Sequence, residues 1–498
     1  MLDPQACYRA LRTRDERFDG RIFVGVTSTG IYCRPVCPAR TPKLQNCRFY
    51  PSAAAAHEAG FRPCLRCRPE TVLDLGSWRG TSNTVSRGLA LIAEGELDGE
   101  SGVEALAERL GVGGRQLRRL FQQHLGASPI AVAQTRRVLF AKQLIQETRL
   151  PMAEVALAAG FGSVRRFNEV FQGLFQRPPS ALRRTMSAPL GSVAESGVTM
   201  RLRYRAPYDW AAMMAHLGAR AIDGVEQVEG GRYGRTVVHD GKMGTVEIRH
   251  LAAARCITAT IRFPCVSALP AIASRIRHVF DLGADVAAIE SDLARDPLLA
   301  PLVAERPGLR VPGGWEGFEL AARAILGQQV TVEAGRQLAG QLVEACGARV
   351  SRRESSNDAL THAFPSAQQV AKADLRSLRM PRSRRVALLA VANVALREPS
   401  FFEALDTIEN TVARLRTIPG VGEWTAQYIA LRGAREPDAF PASDVGLLRS
   451  AARGGRTRSS SAELLERAER WRPWRAYAAQ HLWAADPRVS PIVAEGSS

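Results

Sequence analysis

Apolar residues recur at helical spacing in two separate stretches of this chain. In the first, Leu106, Leu110, Leu117, Leu120 and Phe121 lie on one face of a predicted helix, turn and helix running from Gly102 to His124. The second repeats the layout, with Met152 to Phe161 followed by Ser163 to Phe175. Gly111 and Gly160 stand where each tight turn needs them, so two helix-turn-helix units are expected. Farther on the period shortens. Ile257, Ala259, Ile261 and Phe263 alternate with polar or small residues, and Val246 and Ile248 do the same after the hairpin signal Asp240-Gly241. This predicts a small antiparallel sheet within 200–290. From 291 to 495 helical spacing returns, punctuated by Pro307-Gly308, Pro312-Gly313-Gly314 and Pro419-Gly420. The stretch Thr185–Thr199, rich in Ser, Ala and Gly, predicts a linker, and polar Gly76–Thr84 a shorter one.

A chain of 498 residues with these shifts of period should hold several domains. Its net charge of +18 points to a polyanionic partner, most simply nucleic acid. The start of the chain lacks an apolar signal region, and no stretch is long and apolar enough to span a bilayer. A cytoplasmic protein without a membrane partner is therefore expected. Of nine cysteines, four form two close pairs, Cys33 with Cys37 and Cys64 with Cys67, the spacing of a tetrahedral Zn²⁺ site. The other five, Cys7, Cys47, Cys256, Cys265 and Cys346, are scattered and odd in number, which does not suggest a disulfide framework. Residues 1–70 carry twelve Lys/Arg against six Asp/Glu, so the site sits in basic surroundings. Cys47, between the pairs, reads as a packed or free thiol. By itself a Cys₄ zinc is a closed, purely structural site.

The runs Thr29-Gly30-Ile31-Tyr32-Cys33-Arg34-Pro35-Val36-Cys37 and Ala59-Gly60-Phe61-Arg62-Pro63-Cys64-Leu65-Arg66-Cys67 add to this reading. They resemble the N-terminal domain of the Ada adaptive-response family over residues 5–70. The resemblance implies one Zn²⁺ held by Cys33, Cys37, Cys64 and Cys67, with Cys33 accepting a methyl group from a DNA methylphosphotriester. Four thiolates on Zn²⁺ carry net −2, and alkylating one leaves −1, so affinity for DNA should rise after transfer.

Gly160-Phe161, Phe167, Phe171-Gln172 and Pro178-Pro179-Ser180 make the helical block resemble AraC-type DNA-binding domains. That resemblance implies a transcription activator, with RNA polymerase as its partner and each second helix in a major groove. Arg115, Arg118 and Arg119 would face DNA from one unit, and Ser163, Arg165, Arg166 and Asn168 from the other. Gln172 and Gly173 depart from the family's usual cations and are not expected to touch DNA. Two tandem units permit a monomer.

The last block carries Leu415-Arg416-Thr417-Ile418-Pro419-Gly420-Val421-Gly422-Glu423-Trp424-Thr425-Ala426, a helix, a tight hairpin and a new helix whose amides can hold a phosphate. About twenty residues on come Phe440-Pro441-Ala442-Ser443-Asp444. Hairpin and aspartate together resemble the helix-hairpin-helix DNA glycosylases, most closely the AlkA 3-methyladenine type, over about 200–495. The resemblance implies Asp444 as the catalytic carboxylate, stabilising positive charge on the sugar of a flipped-out nucleotide. It places Trp424, Tyr428 and Trp483 in an aromatic pocket suited to cationic bases. Gln328, Gln329, Gly420, Gly422 and Thr425 would meet DNA, with Gln329 at the wedge position where Leu is familiar. Trp424 stands where strand-cutting relatives carry a Schiff-base lysine, so a monofunctional enzyme is expected. Asp438, the competing carboxylate, is expected to be exposed.

The expected fold class is multidomain α+β. A zinc-bound α/β domain occupies 1–74, an all-α double helix-turn-helix domain 85–184, a linker 185–199, an antiparallel-sheet domain 200–290 and an all-α glycosylase domain 291–495. The expected function is a regulator switched by methyl transfer, fused to a glycosylase excising alkylated purines. Two alternatives are a glycosylase whose front half only targets DNA, and a regulator with a silent C-terminal half. No Pro-Cys-His-Arg string occurs, so the O6-alkylguanine methyltransferase of full-length Ada proteins is not expected.

Overall fold

The computed structural model describes residues 3–67, 69, 83–98, 102–184, 197–351, 357–405, 407–452 and 460–486. Most of the two predicted linkers, at 76–82 and 185–196, lies outside the described residues.

The elements follow local rules. Helix α1 (Pro4–Thr13) is capped by Asp3, whose carboxylate accepts from the backbone N–H groups of Gln5 and Ala6. Strands β1 (Phe23–Val26), β2 (Ile31–Cys33) and β3 (Cys47–Tyr50), helix α2 (Ala53–Glu58) and strand β4 (Arg62–Pro63) come next. The four strands form a sheet in the order β3-β1-β2-β4. Strand β2 pairs with β4 in parallel, Ile31 opposite Arg62 and Tyr32 opposite Pro63, while the other neighbours run antiparallel. That register sets the end of β2, at Cys33, beside the residues leading into Cys64.

Among the described residues, seven helices make up the next block: α3 (Asn83–Glu94), α4 (Val103–Arg109), α5 (Gly114–Leu125), α6 (Pro129–Glu147), α7 (Met152–Ala158), α8 (Val164–Phe175) and α9 (Pro179–Arg184). Leu106, Leu110, Leu117 and Phe121 are buried as the spacing requires, and Leu120 packs against them half-buried. Phe167, Phe171 and Phe175 bury one face of α8, with ring centroids 4.7 and 5.2 Å apart along the row. Gly160 is fixed twice over. Its φ is +82°, and a Cβ there would lie 2.4 Å from Cγ of Asp98. Asp98 has no room to yield, since its two oxygens bind Arg136 (2.9 Å) and Arg137 (2.7 Å) on α6.

After β5 (Val198–Arg203) and α10 (Trp210–Gly218) come β6 (Glu226–Glu229), β7 (Arg232–His239), β8 (Lys242–Leu251) and β9 (Cys256–Arg262). The predicted hairpin forms at Asp240-Gly241, between His239 and its partner Lys242. The remaining helices are α11 (Leu269–Val279), α12 (Val286–Leu293), α13 (Ala300–Glu305), α14 (Gly317–Leu326), α15 (Val332–Cys346), α16 (Ala367–Lys372), α17 (Arg382–Arg397), α18 (Ile408–Leu415), α19 (Glu423–Arg432), α20 (Val445–Ala451), α21 (Ser461–Ala468) and α22 (Arg475–Ala485). No helix among the described residues is long and apolar enough to cross a membrane.

The chain divides into two compact units, and the division is discontinuous in sequence. One comprises Met1–Arg203 with Cys256–Ser274, the other Tyr204–Arg255 with Arg275–Ser498. The first contains the zinc-type sheet, the seven-helix block and the antiparallel pair β5/β9, in which Arg201 faces Thr258. The second contains the meander β6-β7-β8 and the helices from α12 onward. A buried ionic network ties the meander to α14: Arg235 on β7 pairs with Glu319 (2.8 Å), and Arg323 bridges Glu226 (2.5 Å) and Glu319 (2.7 Å).

Candidate functional site

The first unit gathers the sulfurs of Cys33, Cys37, Cys64 and Cys67 within 4.8 Å of one another. A tetrahedral ZnS₄ centre needs edges of about 3.8 Å, so the set closes around Zn²⁺ with small adjustments. Hydrogen bonding to Cys37, Cys64 and Cys67, together with burial, pushes the Cys33 thiol far above its ordinary range. Sulfurs this crowded cannot all ionise without a cation among them, which is the signature of a metal-binding set. The four differ in their surroundings. Backbone N–H groups of Arg34 and Arg66 donate to Sγ of Cys67 and Cys64, each at 3.4 Å, and that of Ala39 donates to Cys37. Among the described residues no backbone N–H donates to Cys33, which is half-buried where the other three are buried. Cys47 is buried away from the cluster, its thiol donating to the Lys43 carbonyl at 3.3 Å.

On the helix-turn-helix units Arg115, Arg118, Arg119, Arg165, Arg166 and Asn168 are all exposed. Three of the arginines are already paired, Arg118 with Glu104 at 2.6 Å, Arg165 with Glu169 at 2.9 Å and Arg166 with Glu169 at 3.9 Å. Ser163 is exposed too, but its hydroxyl accepts from the Arg166 N–H at 3.1 Å and so caps α8.

In the second unit a cleft of about 1030 Å³ opens beside the hairpin between α18 and α19. Asp444 lines it and is the N-cap of α20. Its Oδ1 accepts from the N–H groups of Gly446 (2.9 Å) and Leu447 (3.1 Å) and from Trp483 Nε1 (2.9 Å), and its Oδ2 from Trp424 Nε1 (2.9 Å). The carboxylate is therefore rigidly aimed, with a lone pair on Oδ2 left over. Trp424 stacks on Tyr428 with centroids 5.3 Å apart and planes 13° apart, and Trp483 meets Tyr428 edge-on at 6.5 Å. The sequence brought all four residues to one place.

Other expected contacts fall differently. Gly420 and Gly422 are exposed on the hairpin, but Thr425 is buried. The amide of Gln328 donates to the Gly420 carbonyl (2.9 Å) and to Thr425 Oγ1 (3.1 Å), clamping α14 to the hairpin. Gln328 and Thr425 thus brace the hairpin from within. Gln329, the residue expected to wedge into DNA, is exposed and has φ +55°, a left-handed backbone. Asp438 corrects the expectation of exposure: it is half-buried and bound by Arg475 (2.7 Å) and Arg472.

Two cations in the aromatic pocket carry no distinctive signal in the sequence. Arg432 is buried, with its guanidinium carbon 5.4 Å from the Tyr428 ring centre and 5.1 Å from that of Trp483. It donates to the Pro312 carbonyl (2.8 Å) and to Gln480 (3.1 Å), and burial pushes it down to about 10. Arg220 also lines the cleft. Burial would raise the Tyr428 phenol, but Arg432 and Arg220 outweigh it and hold the group below its ordinary range. Arg432 ends α19 and Arg220 follows the C-cap of α10, places where a cation reads as ordinary helix-terminal charge.

Three family descriptions match successive parts of the chain: the metal binding domain of Ada over residues 6–70, a helix-turn-helix domain over 106–185, and the AlkA N-terminal domain over 199–316. The chain is 41% identical over 487 residues to a probable bifunctional transcriptional activator/DNA repair enzyme AlkA of Mycobacterium tuberculosis, covering 97% of this chain and 96% of that one. It is 33% identical to DNA-3-methyladenine glycosylase 2 of Escherichia coli, covering 57% of this chain and 95% of that one. Among solved structures, a 3-methyladenine DNA-glycosylase from Archaeoglobus fulgidus aligns with TM-score 0.51 and 21% identity over 59% of this chain and 99% of its own, a likeness of fold.

Proposed function

We propose, from the premise that this chain belongs to the family of bifunctional transcriptional activators and DNA repair enzymes of the AlkA type, that it senses and repairs DNA methylation at two separate sites. The front site takes a methyl group from a methylphosphotriester. The rear site hydrolyses the glycosidic bond of alkylated purines such as 3-methyladenine. One Zn²⁺ belongs to the front site, bound by Cys33, Cys37, Cys64 and Cys67.

Bound Zn²⁺ keeps the cysteine ligands as thiolates at neutral pH. Cys33 is the acceptor. Amide donors stabilise the negative charge of the other three sulfurs and blunt them as nucleophiles, whereas Cys33 keeps its electron density and its access to solvent. Its sulfur forms the new S–CH₃ bond, the methyl C–O bond breaks, and the electron pair stays on the phosphate oxygen. The helix-turn-helix units then hold promoter DNA through the exposed arginines of α5 and α8, and RNA polymerase is the partner that reads the result. The protein acts as a monomer in the cytoplasm, on the nucleoid.

At the rear site the N-terminus of α19 and the glycines of the hairpin hold the DNA backbone without reading sequence. Gln329 enters the gap left by the flipped nucleotide, and its amide meets the orphaned base. Trp424, Tyr428 and Trp483 receive the damaged base. Asp444 faces the sugar, stabilises its oxocarbenium charge and orients water with the free lone pair of Oδ2. Trp424 offers no amine to the sugar, so the product is an abasic site in an intact strand.

The observation carrying this reading is Asp444 itself, fixed by two indole N–H groups and a helix N-terminus at the mouth of an aromatic cleft. The test is release of methylated base by wild type and by Asp444→Asn. Release lost in the variant supports it, and release kept at the wild-type rate contradicts it.

A further inference from the structure

Helix α6 carries a run of polar residues that an amphipathic pattern would leave in water. Lys142, Gln143, Gln146 and Glu147 are all buried, Lys142 completely. Each end of this run meets another block of the first unit. Lys142 Nζ donates to the Cys64 carbonyl at 3.1 Å, so a buried ammonium touches the backbone of a metal ligand. Five residues along, Glu147 accepts the Arg201 N–H at 2.9 Å, while Gln143 donates to the Arg201 carbonyl at 2.9 Å and to Glu147 at 3.0 Å. Two side chains of a helix thus take the place of a neighbouring strand on the edge of β5, whose other edge pairs with β9. The β5 strand opens the part of the chain matching the AlkA N-terminal domain.

The cluster side of α6 is firmly seated. His57 on α2 bonds Thr135 (3.0 Å), Ser52 donates to the Leu125 carbonyl (2.6 Å), and Ser128, the α6 cap, donates to Glu58 (3.0 Å). A charge held at Lys142 therefore cannot be relieved by the two blocks simply sliding apart.

We propose that α6 from Lys142 to Glu147 transmits the methylation state of the Cys₄ cluster to β5, the strand that opens the stretch matching the AlkA N-terminal domain. The proposal rests on Cys33 being the methyl acceptor. The zinc-loaded cluster carries net −2, and Lys142 is a buried cation bound to the carbonyl of one ligand, Cys64, as Arg34 is bound to that of Cys67 at 3.0 Å. Transfer of a methyl to Cys33 lowers the cluster to net −1 and weakens the attraction that holds Lys142 against Cys64. The polar run then relaxes, and the side-chain clamp on Arg201 loosens.

The experiment uses the full-length, zinc-loaded protein before and after exposure to DNA carrying methylphosphotriesters. Intact mass with peptide mapping reports methylation of Cys33, and amide hydrogen exchange is followed along Val198–Arg203. Faster exchange at Arg201 after methylation, by about threefold or more, is expected. Lys142→Met should remove the difference between the two states, and Lys142→Arg should keep it. Unchanged exchange at 198–203 in wild-type protein whose Cys33 is methylated overturns the coupling while leaving the acceptor assignment intact. Absence of methyl on Cys33 overturns the acceptor assignment and the coupling with it. The decisive comparison is made on the wild type, so a Lys142→Met protein that fails to fold does not remove the test.

Discussion

Replacing Asp444 by Asn isolates the charge of that carboxylate from its shape. The side chain serves two purposes. Oδ1 caps α20 through Gly446 and Leu447 at 2.9 and 3.1 Å, and both oxygens take indole N–H groups. Asn can keep its carbonyl oxygen on the Oδ1 side, where three donors converge, so the cap survives. Its NH₂ then faces the Trp424 N–H, donor against donor, at a cost of about 1–3 kcal/mol to local stability. Catalysis loses more. A carboxylate about 4 Å from a developing sugar cation gains about 4 kcal/mol at an effective dielectric near 20. Removing it should slow base release about a thousandfold. The assay is single-turnover release of methylpurine from methylated DNA, with binding to abasic-site DNA as the control for folding. Asp438→Asn is a second control, since Asp438 is committed to Arg475 and Arg472. An Asp444→Asn protein that binds DNA normally and releases base within about threefold of the wild-type rate would refute the electrostatic argument.

Gly420→Ala should disable DNA binding by the rear half: φ is +84°, and the new Cβ would lie 2.5 Å from that of Ala387, so abasic-site affinity should fall while Cys33 methylation is untouched. Arg432→Met should destabilise the second unit by about 2–3 kcal/mol in a denaturant titration, because the buried Pro312 carbonyl and Gln480 lose their donor. Burial holds His278 down at about 3 and His481 at about 4, below the ordinary 6.5. The unfolded chain then binds more protons between pH 6.5 and those values, so stability should fall as pH drops through that window and be flat in these groups above it, as melting temperatures across pH 4–8 would show. Chelating Zn²⁺ should abolish methyl transfer and lower the melting transition of the first unit, with base release persisting in the same sample.

The elements and the residues gathered at the two candidate sites were legible because their signals are local. Leu106, Leu110, Leu117 and Phe121 bury on schedule since a helix-turn-helix presents one face per helix. The cysteine pairs and the Phe-Pro-x-x-Asp run name their residues directly, and the fold gathers them. What stayed hidden depends on pairing across the chain. Gln328 and Thr425, expected at DNA, also bond each other, because α14 ends against that hairpin, and no local signal announces that pairing. Arg432 ends a helix, where a cation usually reaches water, but here it lies under two aromatic rings. The polar end of α6 shows no amphipathic pattern because it is covered on several sides. Asp438 lies in a loop and reads as exposed until Arg472 and Arg475, more than thirty residues later, close over it.

The central claim is that two separate negative groups, a metal-held sulfur and a clamped carboxylate, perform two chemistries on one damaged DNA. It is tested most directly by incubating zinc-loaded protein with DNA bearing radiolabelled methyl groups and following where the label goes. The account predicts label both on the protein and in free methylpurine, with Cys33→Ala losing the first alone and Asp444→Asn the second alone. Label that never reaches the protein, or two products that vanish together in either variant, would contradict it.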